Sequence, residues 1–147
     1  MENVLSLEKE LCFTIYETAS EMNNLYSNVL QPFELNYPQY LVLLSLWEND
    51  GILVRDLGDR LNLDSRTLTP IINRMVAHDW IRKERTHDDE GKVHIYLQSK
   101  ALQEQAEITQ KITEEILSCQ IELQEYKQLM QQLQQLHEKL KNRTSNG

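Results

Sequence analysis

Apolar residues recur at three- and four-residue steps near the start of the chain: Leu7, Leu11, Ile15, Ala19, Met22, Leu25 and Val29 fall on one stripe. That period predicts a long amphipathic helix from Leu5 to Leu30, stopped by Pro32. The next stretch, "NYPQYLVLLSLWEND" (36–50), differs. Asn36 can cap a helix and Pro38 fits its first turn, but the body behind them is apolar on nearly every side. A helix without a polar face belongs at the centre of a fold. Asn49–Gly51 stops it.

"VRDLGDRLNL" (54–63) predicts a short helix with Leu57 and Leu61 turned inward. Asp64 or Ser65 then caps another, with Leu68, Ile71, Ile72 and Met75 facing the core. Short helices joined by a tight turn form a helix-turn-helix. In "WIRKERT" (80–86) and "KVHIYLQ" (92–98) the period changes to two. Ile81, and the alternation of Val93, Ile95 and Leu97, predict two strands around the turn "HDDEG". The fold class is therefore mainly α with a small β-wing, α+β: a winged helix-turn-helix flanked by N- and C-terminal helices.

From Ser99 to Arg143 the chain is helical and rich in Gln and Glu. Leu102, Ala106, Ile112 and Ile116 line one helix. Tyr126, Leu129, Leu133, Leu136 and Leu140 form a heptad-like seam on another, and such a seam requires a partner surface. The stripe on the first helix has the same need. The chain thus divides into an N-terminal dimerisation helix (1–35), a winged helix-turn-helix (36–98), C-terminal dimerisation helices (99–143) and a disordered tail (144–147).

The formal net charge of −8 argues against a nucleic-acid binder until its layout is read. Residues 1–54 carry one Lys and eight acids, 55–92 carry eight cations and eight acids, and 93–147 carry six cations and seven acids. An acidic body with a cation-bearing middle fits one local anionic contact. "LDSRTLTP" (63–70) would start the helix that enters a major groove. There Ser65, Thr67 and Thr69 offer hydroxyls, while Arg66 and Arg74 offer charge. With the hairpin behind it, double-stranded DNA is the better reading than an incidentally polar helix. The start "MENVLSLEKE" has no basic segment before an apolar run, and "YLVLLSLW" (40–47) is too short to span a bilayer. The expectation is a cytoplasmic protein with no membrane association.

Cys12 and Cys119 make no disulfide scaffold. Cys12, among Leu11, Phe13 and Ile15, reads by composition as an inert core residue sooner than as a reactive one. Reactivity needs a thiolate, and only Lys9 offers a cation nearby. Cys119 sits in "EEILSCQ", where two glutamates disfavour its thiolate. His87 and His94 could meet across the hairpin, but without the spacing of a structural zinc site. No metal, cofactor, phosphate loop or acid/base pair is implied, and the chain does not read as an enzyme.

"LCFTIYETASEMNNLYSNVL", "NYPQYLVLLSLWE", "LDSRTLTPIINRM" and "IRKERTHDDEGKVHIYL" together resemble the MarR family of bacterial transcriptional regulators, in particular its OhrR- and MgrA-like redox-sensing branch. The resemblance weakens after about Gln105. It implies a homodimer reading a pseudo-palindromic operator. It also implies a reactive cysteine at Cys12 accompanied by Tyr16, Tyr26 and Tyr37, with the hydroxyls of Tyr26 and Tyr37 reaching the cysteine across the dimer interface. Cys119 lies where the branch places a resolving cysteine that joins the first across subunits. DNA contacts would come from Ser65, Arg66, Thr67, Thr69, Pro70 and Arg74, with Arg85 and Lys92 from the wing.

The chain departs from the family in the DNA-reading part. Arg66 replaces the usual Gly. Aligning Asp89 with the wing Asp puts Gly91 where the family has a minor-groove Arg, leaving Lys92 and Arg85 to substitute. The function implied is a redox-sensing regulator, a repressor released when oxidised Cys12 forms an intersubunit disulfide with Cys119. The rivals are a MarR-type regulator answering to a small aromatic ligand, a thiol peroxidase and a purely structural dimer.

Overall fold

The computed structural model describes residues 4–86 and 91–143. The wing tip His87–Glu90 and the tail after Arg143 lie outside the described residues, as do the side chains of Leu5, Leu7 and Lys9. In order come α1 (Val4–Leu30), a 3-10 turn (Gln31–Phe33), α2 (Tyr37–Glu48), α3 (Val54–Leu61) and α4 (Ser65–Ala77). Then follow β1 (Ile81–Arg85), β2 (Val93–Leu97), α5 (Ser99–Ser118) and α6 (Leu123–Asn142). The chain forms two compact units, Met1–Gln110 and Lys111–Gly147. No helix among the described residues is long and apolar enough to cross a membrane.

In the first unit α2 is the buried centre, as its all-round apolar pattern predicts. Tyr40, Val42, Leu43, Ser45 and Leu46 are all buried. Its start is a reciprocal capping box: the Asn36 side chain accepts from the Gln39 amide, and the Gln39 side chain accepts from the Asn36 amide, both at 3.0 Å. That pair satisfies the otherwise awkward buried Gln39. α1, α3, α4 and β2 all pack against α2.

The helix-turn-helix closes on a left-handed residue. Asn62 (φ 57°) ends α3, and the Leu63 amide donates back to the Gly58 carbonyl at 2.9 Å. α3 therefore stops at Leu61, two residues short of the predicted end, because Asn62 takes the cap. Of the candidate caps for α4, Asp64 is the one used. Leu68, Ile72 and Met75 are buried, whereas Leu61 and Ile71 are half-buried at the rim.

β1 and β2 pair antiparallel, with Ile81 opposite Leu97 and Arg85 opposite Val93. The hairpin is tied to the body by the Ile95 amide on the Ile52 carbonyl and by the Leu97 amide on the Asp50 carboxylate, both 2.9 Å. His94 lies opposite Glu84, and its Nδ1 is 2.9 Å from the Gly51 carbonyl. It is thus an anchor of the hairpin; His87, its imagined partner, lies outside the described residues.

α5 corrects one expectation. Its buried residues are Ala101, Ile108 and Ile112, while Leu102 and Leu117 are exposed. The helix carries two apolar faces, and periodicity alone merged them. α6 in the second unit buries none of its residues: Leu129, Leu133 and Leu140 are exposed, with Tyr126 and Leu136 half-buried.

Gly58 tests the helix-turn-helix. A Cβ there would sit 2.9 Å from the Leu63 carbonyl oxygen, a backbone atom that cannot step aside. Gly to Ala inside a helix ordinarily stabilises. Here Gly58→Ala should destabilise by about 1–3 kcal/mol, the usual cost of overpacking. Urea unfolding checks it, and equal or higher stability contradicts the close approach.

Candidate nucleic-acid interface and thiol site

α4 is positioned by its buried side and its cap. With Leu68, Ile72 and Met75 inward, a 100° step per residue turns Arg66, Pro70 and Asn73 to the opposite side. Ser65, Arg66, Thr67, Thr69, Pro70 and Arg74 are all exposed. The Asp64 carboxylate accepts from the Thr67 amide at 2.9 Å. That bond, joined by the Thr67 side chain, holds its carboxyl below an ordinary 3.8. Pro70 lies inside the helix and has no N–H, so the Arg66 carbonyl loses its usual donor four residues on.

Cations gather where α4 meets α3 and the wing. A groove of about 340 Å³ is lined by Thr69, Lys83 and Arg85 over Val54, Ile72 and Val93. The Lys83 ammonium donates to the Asn73 side chain, joining β1 to the exposed face of α4. A recess of about 430 Å³, which shares Val54 and Val93 with that groove, brings Arg55, Ser65 and Lys92 together beside Asp59 and Asp64. Sequence reasoning missed Lys83 and Arg55. Lys83 was legible: it stands two residues before Arg85, on the same face of a strand of period two.

Gly91 explains the departure at the wing. Its φ is +83°, and a Cβ there would lie 3.3 Å from Arg85 Nη1. Arg85 itself donates to the Gly91 carbonyl at 3.3 Å. A side chain at 91 would be strained and crowded, and the cation beside that turn is Arg85 instead.

The thiols are in separate units. Cys12 is exposed on α1, and Tyr16, one turn along the same face, is 72% exposed. The core reading of Cys12 is thereby overturned within this chain, because Leu11, Phe13, Ile15 and Met22 beside it are bare as well. Tyr26 and Tyr37 meet elsewhere, ring centroids 5.1 Å apart. Tyr26 follows Cys12 by fourteen residues on one helix, about 21 Å along its axis, so these two do not meet within one chain. Cys119 is an exposed free thiol just past the end of α5, its Sγ–H donating to the Glu115 carbonyl at 3.5 Å. Two aromatic residues that sequence reasoning passed over, Tyr40 and Trp47, continue the tyrosine cluster. Tyr40 lies 5.9 Å from Tyr26 and 6.3 Å from Tyr37, and Trp47 meets Tyr40 edge-on at 6.4 Å.

Residues 24–112 match the family model of the transcriptional regulators SarA/Rot. The chain belongs to this family, whose members are regulators of transcription rather than enzymes, and its fold is like that of a MarR transcriptional regulator from Methanosarcina mazei, with a TM-score of 0.76 at 18% identity over 89% of this chain and 96% of that one. It is 46% identical over 95 residues to the HTH-type transcriptional regulator TtmR of Methylorubrum extorquens, covering 65% of this chain and 49% of that protein. It is 42% identical over 93 residues to the organic hydroperoxide resistance transcriptional regulator of Bacillus subtilis, covering 63% of each. The matched stretch thus spans about half to two thirds of these relatives. Among solved structures, reduced AbfR bound to DNA superposes with a TM-score of 0.85 at 31% identity, over 94% of both chains. AbfR has also been solved overoxidised and bound to DNA, and with a disulfide formed, at TM-scores of 0.78 and 0.70.

The cap on α4 has a testable pH dependence. A carboxyl lowered by folding contributes stability that is fully present above 3.8 and lost as pH falls through its depressed native value. Asp64→Asn keeps a neutral acceptor and lacks that loss. The difference in melting temperature between wild type and Asp64→Asn should narrow in acid; a constant gap down to pH 3 contradicts the assignment.

Proposed function

We propose that this chain is a cytoplasmic, thiol-based redox-sensing transcriptional regulator. It binds a pseudo-palindromic duplex as a homodimer, represses there, and is released when Cys12 is oxidised and joined to Cys119 of the second copy. The observation that carries this reading is the bare apolar face of α1, with Cys12 and Tyr16 near one end and Tyr26 with Tyr37 at the other. Fourteen residues at 100° each return Tyr26 to within about 40° of Cys12 around the helix. Two α1 helices crossing antiparallel about a two-fold axis near Ala19 would therefore set Cys12 of each copy at the Tyr26–Tyr37 pair of the other. Small side chains at Thr18, Ala19 and Ser20 permit that crossing. The site is incomplete in one chain and closed in two.

The chemistry then balances with an organic hydroperoxide as oxidant. The Cys12 thiolate attacks one peroxide oxygen, the O–O bond breaks, and the alkoxide leaves and takes up a proton as an alcohol. Cys12 is oxidised by two electrons to a sulfenic acid. Tyrosine hydroxyls donating to the thiolate stabilise it before attack. The Cys119 thiol next attacks the sulfenic sulfur, and hydroxide leaves with the thiol proton as water, giving the disulfide. The name of the Bacillus subtilis relative and the reduced, overoxidised and disulfide forms of AbfR support this choice of chemistry.

On DNA, Arg66 and Thr69 would face base edges from α4, with Ser65 and Thr67 at phosphates. Arg74, Lys83, Arg85, Lys92 and Arg55 would flank them as phosphate contacts. The acidic remainder keeps the rest of the dimer off the backbone. A crosslink that displaces the paired α4 helices destroys the spacing that paired half-sites demand.

Three outcomes are expected. Cys12→Ser should bind the duplex like wild type and stay bound in tert-butyl hydroperoxide, whereas wild type dissociates; release of Cys12→Ser by peroxide would falsify the sensor assignment. Cys119→Ser should also stay bound under peroxide and give no covalent dimer on a non-reducing gel; full release of that variant would show that the disulfide is not the switch. Arg74→Ala and Lys83→Ala should each flatten the plot of log affinity against log salt by about 0.9 per lost phosphate contact. Unaltered slopes in both variants contradict the proposed placement of α4.

A further inference from the structure

A continuous aromatic and hydrogen-bonded path leaves the tyrosine pair and ends at the root of the wing. Tyr26 and Tyr37 meet at 5.1 Å with their planes tilted by 57°, and the ring of Tyr40 packs on both, at 5.9 and 6.3 Å. Tyr40 is 7% exposed and cannot move into solvent as its neighbours can. Two turns on along α2, Trp47 meets it edge-on at 6.4 Å, with planes 70° apart. The Trp47 indole N–H then leaves α2 altogether and donates to the Ala101 carbonyl at 3.2 Å.

Ala101 is fully buried in the first turn of α5, directly after β2. Its amide donates to the Gln98 carbonyl at 3.1 Å, and the Gln98 amide donates to the Trp80 carbonyl at 2.9 Å, on the residue before β1. Both strand ends of the wing are thus anchored at one place, and the indole of Trp47 reaches that place from the sensor side.

Resting on the reading of Cys12 as the sensor, we propose that Tyr40 and Trp47 are positioning residues that couple the thiol site to the wing. Tyr40 holds the rings of Tyr26 and Tyr37 so that their hydroxyls meet the second copy's Cys12. Oxidation of that sulfur adds an oxygen, and later a crosslink, where the hydroxyls stood. The displaced rings press on Tyr40, which has only packed neighbours, and the edge contact passes the displacement to Trp47. The indole bond hands it to Ala101 and so to the root of β2. Two sites are linked by one packed element that both can bias, which is what coupling requires.

Separate substitutions test the two halves. Trp47→Phe keeps an aromatic ring beside Tyr40 and removes the indole N–H together with the pyrrole ring that carries it. Each protein is titrated, reduced and after tert-butyl hydroperoxide, against a duplex selected in vitro from random sequence with the reduced wild type. Cys12 oxidation is timed by trapping the sulfenic acid with dimedone. Trp47→Phe should bind as wild type when reduced and oxidise Cys12 at the wild-type rate, yet lose about tenfold less affinity on oxidation. Loss of affinity equal to that of wild type overturns the link through Ala101. Tyr40→Leu should slow Cys12 oxidation, and Tyr40→Phe should restore it, since the ring and not the hydroxyl does the positioning. Tyr40→Leu oxidising at the wild-type rate overturns that half. Cys12→Ser run alongside separates the levels: if peroxide releases it too, the sensor reading itself fails and the coupling falls with it. If it stays bound while Trp47→Phe behaves as wild type, the coupling alone is wrong.

Discussion

The first unit depends on α2 having no exposed side to spare. A helix that buries Tyr40, Val42, Leu43, Ser45 and Leu46 must be surrounded, and α1, α3, α4 and β2 do the surrounding. Because the helix lies inside, the donors at its start need partners from the protein rather than from water, and the Asn36–Gln39 box supplies them. The orientation of the recognition helix and the anchoring of the hairpin both follow from packing on this one element. Each large side chain buried there contributes about 1.5–3 kcal/mol.

Much of this was legible because apolar period and burial are two views of one constraint. The helix-turn-helix, the hairpin register and the central helix follow from where Leu57, Leu68, Ile72, Met75, Ile81 and Ile95 must go. What escaped did so for particular physical reasons. A stripe of apolar residues on α1 looks the same whether it faces a core or a second molecule, so Cys12 read by composition as buried sooner than exposed until the structure left it bare. On α5 two apolar faces overlap, a buried one with Ala101, Ile108 and Ile112 and an exposed one with Leu102 and Leu117, and periodicity alone did not separate them. In α2, where nearly every position is apolar, there is no face to read, and Tyr40 and Trp47 gave no sign of their alignment. Gly91 registered only as a missing arginine. Its positive φ and the nearby guanidinium of Arg85, which give the absence a reason, are tertiary facts.

Among the described residues the large exposed apolar side chains lie on α1, α5 and α6, while Arg55, Lys83, Arg85 and Lys92 lie beside α4. Hydrophobic burial is non-directional and is, if anything, strengthened by excluded salts, whereas phosphate contact is strongly weakened by salt. Association of copies and association with an anionic polymer can therefore be tuned independently. On the proposed function, a thiol on the apolar face of α1 would report to the polar face through the packed interior of the first unit.

Pro70 has a consequence of its own. Its missing N–H leaves the Arg66 carbonyl without its usual donor, so the hydrogen-bond ladder of α4 has a gap one turn into the helix. Before the gap, the backbone is secured mainly by the Asp64 cap and the Leu68 amide on the Asp64 carbonyl. After it, the ladder is continuous and buried against the core. A gap in the ladder favours faster amide exchange at the tip than along the shaft, and the tip carries Ser65, Arg66 and Thr67. A rigid shaft sets where the helix points, while a softer first turn can adjust its hydroxyls and its arginine to a surface whose shape varies from one base step to the next.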